Sequence, residues 1–344
     1  MDQSQLSVRF KNFADFADIE CKGSSRLYEL LSRKIAEDDE ILELSSFARI
    51  GQPVPNLLLG AVHYLLLKGR DHLLRDYYPS IVPDPKEIEG AFVHFKDFCQ
   101  IYRDEIISLL TIKLVQTNEV RRCAYLYPTF CYVYNKIQKA LSLIEIGTSA
   151  GLQLLWNHYN YSYGNNVVYG NKLSNVHITS EVKGDNVPLL FKESPPVVSK
   201  LGIDLHISDL SNSEDYLWLK SLIWPEHKER KELFEKSAKC FNENPVELLE
   251  GDGVALLTEV VETLPKNTAI CIFHTHVANQ IPEDLKYDLL NKIKTIGSKR
   301  DVFHLYNNMW DRNLHLDYFI DGVEYNQTIG STDGHGRWFE WNIE

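Results

Sequence analysis

The stretch Leu141-Ser-Leu-Ile-Glu-Ile-Gly-Thr-Ser-Ala-Gly-Leu152 decides the fold. Its first six residues form a short, largely apolar run that predicts a buried β-strand. Gly147 and Gly151 follow, and glycines after a strand permit a tight turn and a close approach of the backbone to a ligand. We expect a helix from Gly151 to Tyr159, whose first N–H groups face the same place. This order is typical of open α/β sheets, whose ligands bind beyond the carboxyl ends of the strands.

Four interpretations of this turn are open. Glu145-x-Gly147-x-Ser149-x-Gly151 resembles the first motif of Rossmann-like methyltransferases, E/D-x-G-x-G-x-G, with serine in place of the middle glycine. The dinucleotide fingerprint G-x-G-x-x-G fits less well, because its second and third glycines are missing. Residues 147–151 also match G-x-S-x-G, the nucleophile elbow of serine hydrolases, but helices are predicted where that fold needs earlier strands. The fourth interpretation is a tight turn without a ligand.

The predicted secondary structure changes near residue 140. Upstream, apolar residues recur at three- and four-residue spacing, and NLLLGAVHYLLL at 56–67 predicts a buried helix. Downstream, predicted strands alternate with predicted helices, which indicates a mostly parallel sheet covered on both faces. After the first strand, the predicted strands are 197–206, 246–249, 269–273 and 301–306. We therefore expect an all-helical N-terminal domain, residues 1–117, and an α/β domain, residues 118–344.

Two further features of the α/β domain follow from its pattern. Segments 316–329 and 337–342 read as two final strands with no helix between them, which predicts an antiparallel hairpin at one sheet edge. Residues 157–196 form an insertion between the first two strands. Its tyrosines form either a lid that stacks on a substrate or a small satellite core. They are Tyr159, Tyr161, Tyr163 and Tyr169.

Acidic residues end the next two predicted strands. Asp204 ends the second strand, where a carboxylate can accept both hydroxyls of a ribose, and Asp209 is the alternative. Asp252 follows the third strand, where an acid can reach an adenine amino group. An aspartate in this position also commonly forms a turn or caps a helix. Asp204 follows Glu145 by 59 residues, because the insertion intervenes. In compact nucleotide-binding units the ribose-binding acid follows the glycine-rich turn by about 20 residues.

Two histidines follow the fourth predicted strand, in Phe273-His274-Thr275-His276. Histidine can act as a base near neutral pH. If the strand continues through this segment, His274 and His276 point to the same face, since side chains alternate along a strand. We expect at least one of them to serve as an acceptor-side base or, alternatively, both to be structural. The pair lacks a third ligand in the sequence, so we expect no metal site.

The composition restricts the classes of protein. The chain has 344 residues and a formal net charge of −12, which argues against general nucleic-acid binding, since phosphates require clustered Lys and Arg. It contains no apolar run long enough for a transmembrane helix and no apolar signal core near Met1. Six cysteines without a C-x-x-C pair indicate reduced thiols instead of a disulfide scaffold. We therefore expect a cytoplasmic protein without a membrane partner.

The order of elements from residue 141 to the end resembles the seven-stranded Rossmann-like methyltransferase fold. Over about residues 10–340 the chain also resembles the bacterial family catalogued as domain of unknown function 2332. The motifs that carry this closer resemblance are QPVPNLLLGAVHYLLL at 52–67, LIEIGTSAGLQLL at 143–155, GIDLHISDL at 202–210, WLKSLIWPEHKER at 218–230, EGD at 250–252 and IFHTHV at 272–277. This resemblance implies a fold and carries no reaction with it.

The function expected from these features is methylation of a small-molecule acceptor with S-adenosylmethionine. Glu145, Gly147, Ser149 and Gly151 would hold the methionine and ribose portions, Asp204 the ribose and Asp252 the adenine. His274 or His276 would be the base. One alternative is a non-catalytic module that binds a nucleotide-like ligand or a protein partner. The other is a hydrolase with Ser149 as nucleophile.

Overall fold

The computed structural model describes residues 3–184 and 186–344, and side chains from Val8 onward, so Asp185 of the insertion lies outside the described residues. The chain divides into two compact units. The first contains the chain up to Thr117 together with Ser211–Glu232, and the second contains Asn118–Leu210 and Leu233–Glu344. Segment 211–232 thus belongs to the first unit, whereas the sequence analysis placed it in the second domain.

All regular elements described in the first unit are helices. Amphipathic segments close on one apolar core, because each buries its apolar face against another helix. The α-helices are α1 (Gln3–Asp15), α2 (Arg26–Ala36), α3 (Asp39–Ser45), α4 (Val54–Leu67), α5 (Ala91–Ile101) and α6 (Arg103–Ile112), with a π-helix at Phe16–Cys21 and 3₁₀ turns at Leu73–Tyr77 and Ile88–Gly90. The apolar run predicted as a buried helix at 56–67 forms most of α4.

A later segment of the chain, Ser213–Ser221, completes this helical core. Its Trp218 is buried, donates its indole N–H to the carbonyl of Leu114 at 2.8 Å, and meets the ring of Tyr64 edge to face. The imidazole of His63 in α4 contacts the carbonyl of Ser221 at 2.8 Å. These contacts join residues more than 100 positions apart, which explains why local sequence patterns did not assign the segment to this unit.

The second unit contains a seven-stranded sheet, two small sheets and flanking helices. Its helices are α7 (Cys123–Ile137), α9 (Lys228–Glu243, from Leu233 onward), α10 (Gly253–Thr263) and α11 (Glu283–Gly297); Ser213–Ser221 is α8 of the first unit. Its strands are β1 (Leu141–Ile146), β2 (Asn160–Ser162), β3 (Tyr169–Gly170), β4 (His177–Thr179), β5 (Glu181–Lys183), β6 (Val197–Asp204), β7 (Glu247–Glu250), β8 (Ala269–His274), β9 (Val302–Tyr306), β10 (Asn313–Ile320), β11 (Val323–Ser331) and β12 (Trp338–Glu340). None of the described helices is long and apolar enough to cross a membrane.

The large sheet has the order β11-β10-β9-β8-β1-β6-β7. The five strands from β9 to β7 are parallel, and β10 and β11 are antiparallel to their neighbours. The predicted mostly parallel seven-stranded sheet is therefore confirmed. Its parallel part follows the doubly wound order, in which the chain moves outward from β1 to β7 and then crosses to β8 on the other side of β1.

Both faces of this sheet are buried. On one face, Ile144 and Ile272 pack with Leu257 of α10 and Ile293 of α11 in one apolar cluster. On the other face, Phe130 of α7 meets Phe273 edge to face and stacks on Trp156. This double cover explains why all six residues of β1 are buried, and why β1 is a continuous buried run instead of an alternating strand.

The terminal hairpin differs from the predicted one. The segment 316–329 is not one strand, since Asp321 and Gly322 interrupt it with φ angles of 50° and 78°. Two successive positive φ angles are those of a type I′ turn, for which Asp-Gly is a preferred pair. The hairpin therefore consists of β10 and β11, whereas β12, within the predicted last strand 337–342, pairs in parallel with β5 in a separate sheet.

The tyrosines of the insertion belong to a core, so the lid interpretation is not supported. Tyr159 and Tyr161 are completely buried, and Tyr161 stacks on Tyr127 of α7 at 4.3 Å between ring centroids. Their hydroxyls donate to the carbonyls of Leu152 and Trp156 at 2.7 and 2.5 Å. A buried hydroxyl with a backbone acceptor is a satisfied structural group. The insertion is thus a satellite core built on β2, β3 and β4.

Gly297 at the end of α11 provides a test of the packing between this helix and the sheet. A Cβ added at Gly297 would lie 2.3 Å from the ring of Phe319 in β10. We predict that Gly297→Ala destabilises the protein by about 1–3 kcal/mol through overpacking, although alanine is otherwise the better helix former.

The control for this prediction is a double-mutant cycle in urea with Phe319→Ala, which removes the ring atoms nearest to the added methyl. The double variant should lose less stability than the sum of the two single losses. Additive losses, or a stabilising Gly297→Ala, would contradict the contact.

Candidate functional site

The candidate site lies where the strand order reverses, at the carboxyl ends of β1 and β8. β1 pairs with β6 on one side and with β8 on the other. In open α/β sheets the connections depart to opposite sides at such a point, and ligands bind in the crevice that this opens outside the carboxyl ends of the strands. Glu145 and the glycine-rich turn, predicted to bind the cofactor, lie at the end of β1, and His274 and His276, predicted on the acceptor side, lie at and just beyond the end of β8.

The turn after β1 has a strongly left-handed backbone. Gly147, Ser149 and Gly151 have φ angles of 74°, 52° and 74°, and a serine in this region is strained by about 1–3 kcal/mol. At Gly147 a Cβ would also lie 2.5 Å from a methyl of Val277, so glycine is required there by both conformation and packing. The predicted α-helix after the turn is a 3₁₀ helix, Leu152–His158.

Every backbone N–H of this turn has an acceptor within the chain. The N–H groups of Gly147 and Thr148 donate to the carbonyl of Ile203, and that of Gly151 donates to Thr148. The N–H of Ser149 donates to Asp204 Oδ2 at 2.7 Å, and the N–H of Ala150 donates to Asn118 Oδ1 at 3.2 Å. The turn therefore holds neighbouring side chains in place, whereas a phosphate-binding loop directs its N–H groups at the ligand.

Glu145 is buried beneath this turn. Thr148 Oγ1 donates to its Oε2 at 2.7 Å, and the residue is 4% exposed. Burial raises the pKa of Glu145 to about 8, and the nearby Asp204 carboxylate adds to the rise, while the Thr148 hydrogen bond and the Arg122 cation oppose it. Because the charged form is poorly solvated there, Glu145 is mostly protonated at neutral pH.

Asp204 and Asp252 follow their strands as predicted, and both carboxylates bind backbone. Asp204 accepts from Ser149 through Oδ2 and from the N–H of His206 through Oδ1 at 3.1 Å. Asp252 is the N-cap of α10, where Oδ1 accepts from the N–H groups of Val254 and Ala255 at 2.8 and 3.1 Å. Each carboxylate oxygen can accept more than one hydrogen bond. Both side chains can therefore accept further hydrogen bonds from a ligand.

His274 lies in the interior of the domain. It is the last residue of β8, is fully buried, and its Nε2 lies 3.0 Å from Nε2 of His304 in β9. Burial lowers the pKa of His274 to about 3, so its ring is neutral. In the one hydrogen bond between the two imidazoles, one Nε2 donates and the other accepts. Neither Nδ1 has a hydrogen-bond partner among the described residues. His274 therefore packs in the core and does not line the crevice.

His276 lies beyond the end of β8, which corrects the expected arrangement of the two histidines. Its φ angle is 57°, so the alternation of a strand does not apply, and the two rings have different neighbours. The N–H of His276 donates to Asn307 Oδ1 at 2.8 Å, and the Asn308 amide donates to its Nδ1 at 2.6 Å. The neutral ring then carries its proton on Nε2, which has no partner among the described residues.

A buried polar network, which no sequence motif indicated, lies beside the end of β8. Arg122, 7% exposed, donates through Nη1 to the carbonyl of Thr275 at 3.3 Å and through Nε to the carbonyl of Gly334 at 3.0 Å. Thr275 Oγ1 donates to Gln153 Oε1 at 3.0 Å. The members come from four separate segments, so no local motif unites them. Burial and the Arg122 cation lower the pKa of His276 to about 3.

Ser149, the nucleophile of the hydrolase alternative, is 5% exposed. Its Oγ accepts a hydrogen bond from the Asn118 amide at 2.9 Å. A serine nucleophile requires a neighbouring base to remove its proton, and an amide group cannot do so. Among the residues that the structure describes, no group of three or more His, Cys, Asp or Glu side chains is arranged to hold a metal ion.

The buried Glu145 predicts a pH dependence of stability. Its pKa of about 8 in the folded protein exceeds the value near 4.3 in an unfolded chain. The stabilising contribution of the protonated form is complete below about pH 4 and is lost as the pH rises through about 8. We predict that Glu145→Gln gains stability relative to the wild type between about pH 5 and 8, by up to about 1.4 kcal/mol per pH unit.

Urea unfolding across this pH range measures the difference, and Glu259→Gln on the exposed side of α10 is the control. The control should follow the wild type at each pH. Parallel curves for Glu145→Gln and the wild type would show that Glu145 ionises normally.

A comparison with known families matches residues 10–341 to the family described as uncharacterized protein conserved in bacteria (DUF2332). No curated protein and no solved structure matches the chain. The family match covers almost the whole chain, including both units and the turn after β1. The chain therefore belongs to the DUF2332 family of bacterial proteins.

Proposed function

We propose that the second unit binds S-adenosylmethionine at the carboxyl ends of β1, β6 and β7 and transfers its methyl group to a small molecule. One observation carries the proposal: Glu145, Asp204 and Asp252 place carboxyl groups at the carboxyl ends of three adjacent strands, beside a turn whose N–H groups are all internally bonded. Such a site offers acceptors and few backbone donors. It suits a ligand with hydroxyl and cationic donors and without phosphate.

The same observation distinguishes this ligand from a dinucleotide. A pyrophosphate needs N–H groups of a glycine-rich turn and of a helix N-terminus. Here the five N–H groups from Gly147 to Gly151 have acceptors within the chain, and the following helix is a short 3₁₀ segment. The carboxylate of Asp204 would also repel a phosphate.

The residues present have separate tasks in this proposal. Asp204 Oδ1 and Oδ2 accept the ribose hydroxyls in addition to their backbone donors, and Asp252 accepts the adenine amino group. Glu145 faces the cationic amino acid portion and is ionised when that portion binds, since a neighbouring cation favours the carboxylate. The bound S-adenosylmethionine supplies a methyl group activated on a sulfonium. His276 donates Nε2–H to an acceptor atom of the small molecule and orients it.

A non-catalytic binding module on the same fold is the second candidate. It is favoured by the enclosure of His274, one of the two predicted bases, in the core. Formation of S-adenosylhomocysteine in the presence of a bacterial small-molecule extract distinguishes the two. Product that requires the protein supports methyl transfer, and binding without product supports the module.

Calorimetric titration with S-adenosylmethionine tests the binding site. We predict that Asp204→Asn weakens binding about 10- to 100-fold, the effect of losing hydrogen bonds to a charged acceptor. Glu145→Gln should weaken binding more at about pH 8.5 than at about pH 6.5, where the wild-type carboxyl is mostly protonated and must lose its proton when the ligand binds. Circular dichroism establishes that each variant is folded.

Glu259→Gln serves again as the matched control for the loss of one negative charge. Its affinity should equal that of the wild type at both pH values. Wild-type protein that fails to bind S-adenosylmethionine at millimolar concentration, or variants that bind as tightly as the wild type, would contradict the proposal.

A further inference from the structure

The loop between β11 and β12 contains another histidine, His335, which no sequence motif singled out. The loop Asp333-Gly-His335-Gly-Arg337 is held by its own aspartate. Asp333 Oδ1 accepts from the N–H groups of His335 and Arg337 at 3.0 and 3.2 Å, and the Arg337 guanidinium donates to both Asp333 oxygens at 2.9 and 2.8 Å. The loop therefore presents His335 from a fixed backbone.

His335 is paired with a buried carboxylate. Its Nδ1 lies 3.0 Å from Glu119 Oε2, and the Glu119 side chain is 3% exposed while that of His335 is 42% exposed. In the neutral ring, Nδ1–H donates to the carboxylate, which leaves the lone pair on Nε2. A buried carboxylate that orients an open imidazole is the arrangement of a general base and its positioning group.

The loop lies at the carboxyl end of β8, beside the candidate site. The carbonyl of Gly334 accepts from Arg122 Nε, and a Cβ on Gly334 would lie 3.7 Å from the His276 ring. On the other side of His335, a Cβ on Gly336 would lie 2.5 Å from the carbonyl of Arg121. The loop thus packs directly on the 3₁₀ turn Val120–Arg122, which follows Glu119.

His276 is poorly suited to accept a proton, which separates it from His335. Its Nδ1 lone pair already accepts from the Asn308 amide, and its other ring nitrogen, Nε2, carries the proton and is buried. A second proton would place an imidazolium near the Arg122 cation, and the pKa of about 3 reflects this and its burial. At His335, by contrast, the buried Glu119 carboxylate holds Nδ1–H and leaves the Nε2 lone pair for a proton from the substrate.

We propose that His335 is the proton acceptor of this site, with Glu119 as its positioning residue, and that the substrate is a small molecule with a neutral hydroxyl or amine. The inference rests on the proposed function for the identity of the methyl donor. As the bond from methyl carbon to sulfur breaks, its electron pair stays on sulfur and neutralises the sulfonium. A lone pair of the substrate oxygen or nitrogen forms the new bond to the methyl carbon. The proton of that atom moves to His335 Nε2 and later to water.

This chemistry explains why a base is needed. A carboxylate is already ionised at neutral pH and needs no proton acceptor during methyl transfer. An alcohol or a neutral amine loses its proton in the reaction, and a positioned base contributes about 10²- to 10⁴-fold to such a step. The pair formed by His335 and Glu119 therefore indicates a substrate whose reacting oxygen or nitrogen must lose a proton.

The chain contains a matched reference for His335. His177 is also exposed, but its Nδ1 donates to the neutral amide oxygen of Asn160 instead of a carboxylate. Acylation of the full-length protein by diethyl pyrocarbonate, followed residue by residue with mass spectrometry, compares the two imidazoles in one sample. We expect His335 to react about fivefold faster than His177, because a charged partner strengthens the hydrogen bond at Nδ1.

Glu119→Gln keeps an acceptor for Nδ1–H but removes its charge. In this variant the rate at His335 should fall to that at His177, while His177 itself is unchanged. A role of Glu119 as a mere loop contact predicts equal rates at His335 in the variant and the wild type. Equal rates at His335 and His177 in the wild type would overturn the proposal.

A second measurement separates this inference from the proposed function. His335→Gln and Glu119→Gln should bind S-adenosylmethionine with the wild-type dissociation constant in calorimetry, because the dyad acts on the substrate. With the bacterial small-molecule extract, His335→Ala should form S-adenosylhomocysteine about 10²- to 10⁴-fold more slowly, and added imidazole should restore part of the rate.

The outcomes are distinct. Wild-type binding and transfer with an unimpaired His335→Ala variant would overturn the inference alone. A wild-type protein that binds no S-adenosylmethionine would overturn the proposed function, and with it the assignment of His335 to methyl transfer.

Discussion

The hydrogen bond from the N–H of Ser149 to Asp204 Oδ2 is the contact on which the site depends. It lies at the middle of a turn with three left-handed residues, and a left-handed serine is strained by about 1–3 kcal/mol. A charge-assisted hydrogen bond is among the strongest that can offset such strain. Because Asp204 ends β6 and Ser149 follows β1, this bond joins the carboxyl ends of two adjacent strands.

Several other features follow from this closed turn. The turn covers Glu145 and removes it from water, which raises the pKa of its carboxyl group to about 8. It also brings Gly147 against Val277, in the segment after β8. The walls of the crevice are thus fixed by contacts between backbone and carboxylate. A rigid frame of this kind favours a site whose side chains are preorganised, since they need not move when a ligand binds.

Much of the second unit could be predicted from its sequence, because parallel strands are read as buried apolar runs. The predicted strands of the parallel sheet lie within two residues of β6, β7, β8 and β9. The hairpin was placed wrongly although Asp321-Gly322 carries the signal for it, since alternation continues on both sides of the turn. The two histidines were misplaced because a single positive φ angle at His276 ends the strand alternation. Dihedral angles of that kind are set by tertiary contacts, here with Asn307 and Asn308.

The Glu119–His335 pair was beyond sequence analysis for a different reason. Its members are 216 positions apart, and neither belongs to a recognisable motif. The pair forms because the Gly334 carbonyl accepts from Arg122 Nε and because Gly336 lets the loop approach the carbonyl of Arg121 closely. The glycines beside His335 therefore indicate a close contact only when the backbone that packs against them is known.

The charges around the crevice form two regions with different chemistry. On the β1 side the carboxyl groups of Glu145 and Asp204 interact with each other, and one of them stays protonated until a cation arrives. On the β8 side the carboxylate of Glu119 is matched by His335 and lies near Arg337. A cationic donor would therefore be drawn to the first region, where it relieves an unfavourable charge. A proton released near the second region meets the Nε2 lone pair of an imidazole whose Nδ1–H is held by a buried carboxylate. Such a separation of an acceptor for cations from an acceptor for protons is the arrangement that the proposed methyl transfer to a neutral nucleophile needs.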